Sequence, residues 1–136
     1  MAKDAPDGIK LVQATIMVGS EPIVEQPSTE TVVLETEGKV STSSSSYQTL
    51  ATWTVSAGKA GILRALELAS DNYSLAQFRI TIGGVVAIAG WVLPDAWSGY
   101  FAECRLAAET VVLLEGKSDG ATTIKLWGAI EGKEIG

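Results

Sequence analysis

Apolar and polar residues alternate along much of this chain with a period of two, the spacing that sends every second side chain to one face of a strand. In YQTLATWTV the positions Tyr47, Thr49, Ala51, Trp53 and Val55 share a face. In AQFRITIGG, Phe78, Ile80 and Ile82 oppose Gln77, Arg79 and Thr81, and in TTIKLWGAI, Ile124, Leu126 and Gly128 oppose Lys125, Trp127 and Ala129. TVVLE (31–35), GYFAECRLA (99–107) and TVVLLEGK (110–117) read as further strands. VVAIAGW (85–91) is apolar on both faces and so reads as a central strand. From residue 31 onward the pattern predicts about eight strands between Gly-, Ser- and Asp-bearing turns, hence an all-β antiparallel β-sandwich. Trp53 and Trp127, inside regular strands, are expected in or near its core.

Two stretches compete with this reading. KAGILRALELAS (59–70) and FAECRLAAET (101–110) consist of good helix formers, and Arg64 and Glu67 stand three apart as a helical pair would. They are read as strands because tertiary context overrides propensity. Residues 1–30 differ again. They hold Pro6, Pro22 and Pro27 among polar residues, with one apolar segment, LVQATIMV (11–18). They form either a loosely held terminus or an arm that orders against a partner, with Ile16 and Val18 alternating as in an edge strand. The expected organisation is thus an extended N-terminal arm or edge strand, 1–30, and a sandwich domain, 31–136.

Composition narrows the chemistry. The 136 residues are 46% hydrophobic, enough for a core without metals or disulfides. Cys104 is the one cysteine, which leaves no intrachain disulfide, and its apolar context suggests a small buried hydrophobe. A net charge of −6 and ten scattered Lys and Arg residues argue against nucleic-acid binding, which needs phosphates neutralised. The longest apolar run, Ile82 to Leu93, is too short for a membrane helix, and MAKDAPDGIK lacks the apolar stretch of a signal peptide. No membrane partner is expected.

The absence of histidine removes the usual general base and the commonest metal ligand, so no Ser-His-Asp or Cys-His arrangement can be built. One cysteine cannot hold zinc, and Asp71-Asn72 is a turn rather than a calcium loop. LLEGKSDGAT (113–122) contains Gly-Lys-Ser, but a phosphate-binding loop needs a glycine where Val111 stands. Asp119-Gly120 favours a tight hairpin instead. No enzyme, cofactor or metal is expected.

The segment WVLPDAWSGYF (91–101) gathers Trp91, Trp97, Tyr100 and Phe101. It is either internal packing or an exposed anchor, and an exposed one suits a protein or a carbohydrate partner alike.

The run LATWTVSAGKAGILRALELASDNYSLAQFRITIGG (50–84), followed by VVLLEGKSDGATTIKLWGAIEGKE (111–134), resembles the small β-sandwich structural proteins of tailed viruses of bacteria and archaea. The likeness lies in a V-x-x-G-K turn, an S-D-N turn, an F-x-I-x-I strand, a K-S-D-G hairpin and a closing I-x-G-K-E. It implies a jelly-roll-like domain that assembles on a virion, often in threes, as a decoration protein binding capsid subunits. It carries over no catalytic residue. The alternative is a receptor- or carbohydrate-binding module, such as a viral fibre tip, acting through the aromatic segment.

Overall fold

The alternating segments pair so that each buries its apolar face. The computed structural model describes residues 30–136, the side chains of 30–35 and of Glu103 excepted, and contains eight strands and no helix among them. They are β1 (Glu30–Thr42), β2 (Gln48–Thr54), β3 (Ala60–Ser70), β4 (Gln77–Ile82), β5 (Val85–Trp91), β6 (Trp97–Leu106), β7 (Val111–Lys117) and β8 (Ile124–Ile135). The predicted arm, with Ile16 and Val18, lies outside the described residues apart from Glu30, the first residue of β1.

All pairings are antiparallel. One sheet has the order β1-β8-β3-β6 and the other β2-β7-β4-β5. β1 pairs with β8, β2 with β7, β3 with β6 and β4 with β5, as in one long ribbon folded at the β4–β5 turn. Wrapping that ribbon into two layers adds the pairs β3–β8 and β4–β7. The result is a jelly-roll sandwich.

Between the layers lie Trp53, Val55, Leu63, Leu66, Leu68, Phe78, Val112, Leu114, Leu126 and Ile130, all buried. The layers meet closely where β1 crosses β2. A Cβ on Gly38 would overlap the Leu50 carbonyl oxygen, so only glycine fits there. Near the opposite end Trp53 donates its indole N–H to Glu134 Oε2 at 3.0 Å, and the Ser56 backbone N–H donates to the same oxygen at 3.1 Å. These bonds hold the Glu134 carboxyl below its ordinary pKa, the indole bond contributing most, against the opposing effect of burial.

Several expectations change. VVAIAGW is not central: β5 is the outermost strand of its sheet, and most of its residues are exposed. β7 and β8 do not form a hairpin. They belong to different sheets, so 118–123 crosses between layers. There Asp119 Oδ1 accepts from the Ala121 and Thr122 N–H groups at 2.9 and 2.8 Å, and Gly120 takes φ 93°. The face proposed for 47–55 is interrupted by a bulge between Thr49 and Ala51. Ala51, Trp53 and Val55 point inward, whereas Tyr47 lies with the outward-facing side chains of β4 and β7. Cys104 packs against the core but is only half-buried, because β6 is an edge strand. Trp127 faces outward, in phase with Lys125 and Ala129, and is 36% exposed.

Candidate interaction surfaces

The first surface is the flank made by β5, β6 and their connection, 92–96. Edge strands expose unpaired backbone groups, and natural ones are commonly guarded by charges, prolines or a covering segment. β5 carries no charged residue or proline from Val85 to Trp91. Val85 is 69% and Val86 50% exposed, Val92 follows at 55%, and Tyr100 on β6 stands at 77%. Gly90, at φ 62°, bends the end of the strand. Its N–H donates to the Tyr47 hydroxyl at 2.7 Å. Tyr47 therefore spans the outer face of this sheet. The Arg79 guanidinium lies 4.2 Å and the Lys117 ammonium 4.6 Å from its ring centroid. Arg79 also donates to Glu115 Oε1 at 2.7 Å, a bond that raises the guanidinium pKa further. Lys117, the lysine of the Gly-Lys-Ser triplet, is thus engaged with Tyr47, and the Ser118 hydroxyl donates to the Thr122 carbonyl at 2.7 Å.

The predicted aromatic segment divides. Trp91 and Trp97 pack edge to face, centroids 4.8 Å apart, and with Phe101 they rest half-buried against the core. Tyr100 alone of the four projects into solvent, because it alternates outward from Gly99 and Phe101. Sequence left internal packing and exposure both open, and the segment is divided between them.

The second surface is the outer face of the β1-β8-β3-β6 sheet. Cross-strand register sets Lys39, Trp127 and Ala69 in one row and Glu37, Ala129 and Glu67 in the next. The two alanines leave a groove of about 480 Å³ walled by the indole and the longer side chains. Glu131 lines an adjoining recess with Glu37 and Glu67, so three carboxylates gather there, while Lys39 borders the groove itself. Towards the other end Arg64, Arg105 and Lys133 surround a second groove, of about 470 Å³, floored by Ile62, Phe101 and Ala102. Sequence reasoning placed Trp127 in or near the core and so missed it here, although its alternation with Lys125 and Ala129 carried the signal for an outward position. The lateral neighbours carried no such signal, since they depend on which strands pair.

No family model matches the chain, and no curated protein matches it. Among the described residues no three His, Cys, Asp or Glu side chains converge as metal ligands.

Proposed function

We propose that this chain is a non-enzymatic structural protein of a virion, one that decorates an assembled capsid as a homo-oligomer. The observation that carries the reading is the uncharged edge of β5 with its exposed valines. An isolated protein with such an edge is prone to uncontrolled strand pairing, whereas an assembling one uses it as an interface. The jelly-roll frame supports the same reading, since a rigid sandwich keeps that edge in one shape. The likeness to viral sandwich proteins resides in turn and strand residues, so it supports the frame first and the role through it. The test is co-sedimentation with purified capsids of the host's virus. Binding to assembled shells and not to free shell subunits is expected, and a protein that ignores both contradicts the proposal.

A second reading, a saccharide-binding module such as a fibre tip, is favoured by the groove beside Trp127. An exposed indole offers a stacking face, and Glu37 and Glu67 offer acceptors to sugar hydroxyls. This moves the expected platform from Trp97, which packs against Trp91. A glycan array decides it: hits abolished by Trp127→Ala support this reading, and an array without hits removes it.

A further inference from the structure

We infer that the edge of β5 receives residues 11–18 of a second copy of this chain as an added antiparallel strand. The inference rests on the assembly reading above, but not on the virion.

Three observations lead to it. The first is chemical match. LVQATIMV, like VVAIAGW, has no charged residue, and the two are eight and seven residues long. Strand addition draws its affinity from backbone hydrogen bonds and its specificity from alternate side chains, so two uncharged segments of nearly equal length are suited to it. Antiparallel pairing that sets Val18 beside Val85 places Ile16 opposite Ala87.

The second observation is reach. β1 begins at Glu30, paired with Ile135, which also faces Ala60. That end of the sandwich also holds the start of β5, because the Val55 N–H donates to the carbonyl of Thr110, just before β7, and the Gly83 N–H to that of Val111, its first residue. Residues 19–29, eleven in number, separate LVQATIMV from β1. Extended, they span at most about 36–40 Å, whereas four strands are about 14 Å across and stacked sheets about 10 Å apart.

The third observation selects a second copy over the same one. β1 packs against β2 on one flank, and β5 lies at the far edge of the other. A lone strand laid along β5 covers Val85 and Val86 but leaves Val92 and, on the opposite sheet, Tyr100. The body of a neighbour whose arm crosses between copies covers both. Such a contact joins unlike flanks, so repeating it generates a ring when the rotation closes.

The test uses full-length protein. Wild type should have the solution mass of a closed oligomer, and Val86→Lys and Ile16→Lys should each fall to one protomer with an unchanged circular dichroism spectrum. Thr52→Lys, on an exposed site of β2, should keep the wild-type mass. In a Cys104→Ser background, Ile16→Cys chains and mass-tagged Ala87→Cys chains are mixed, re-equilibrated and treated with a short bis-maleimide. A tagged-to-untagged cross-linked pair is expected. No such pair, a wild-type monomer, or both lysine variants retaining the oligomer would overturn the inference, as would a cross-link confined to one chain in the doubly substituted protein. Oligomer and cross-link without capsid binding would leave the inference standing and remove the virion reading.

Discussion

The two flanks of the sandwich are built to opposite ends. Where β1 crosses β2, the layers approach until only a hydrogen fits between Gly38 and the Leu50 carbonyl. Where β5 leads into β6, valines and a tyrosine stand in solvent beside an uncharged edge. The first flank has resolved its packing within one chain, and the second has left it open. The difference separates residues that hold the fold from residues free to adhere, and substitutions on the two flanks should therefore have unlike consequences.

The largest effect is expected on the closed flank. Gly38→Val forces β1 away from β2 and should cost about 3–5 kcal/mol, or abolish folding, by chemical denaturation. A loss under 1 kcal/mol would mean that this flank is as loose as the other.

Next comes the buried bond that ties β2 to β8. Trp53→Phe removes the indole donor from Glu134 and leaves a cavity, which should cost about 2–4 kcal/mol at neutral pH. The bond also sets a pH signature. The folded pKa of Glu134 is lowered, so its contribution is fully present above the unfolded carboxyl value of about 4.3 and is lost as pH falls through the folded value. Stability of wild type relative to Trp53→Phe should therefore narrow in acid. A constant difference from pH 7 to pH 2.5 would contradict this.

On the open flank, Val86→Lys should change stability by less than about 0.5 kcal/mol while abolishing self-association. Smallest of all is Tyr47→Phe. It keeps the ring beneath Arg79 and Lys117 but frees the Gly90 N–H, and should cost about 0.5–1 kcal/mol. A larger loss would make the strap across the outer sheet part of the closed frame.

The same contrast explains what the sequence disclosed. Strands with one apolar face, such as β4 and β8, were legible because Phe78 and Ile80, or Ile124 and Leu126, mark the inside unaided. β3 imitated a helix because a bulge between Leu63 and Ala65 breaks the alternation there, so the buried Leu63 and Leu66 recur at three rather than two, with Arg64 exposed between them. β5 misled for a deeper reason. An apolar run signifies burial, but whether another chain or the protein's own core provides it is not written in the period. The rows around Trp127 and the separation of β7 from β8 depend on long-range pairing, which local spacing does not encode.

Backbone hydrogen exchange in β5 tests the central claim most directly. The β5 amides that point away from β4 should exchange slowly in wild type at associating concentrations, and fast in Val86→Lys or on dilution, while those bonded to β4 stay protected throughout. Rapid exchange of the outward amides at every concentration, with the rest of the sandwich protected, would show that nothing covers this edge and that the open flank is not an interface.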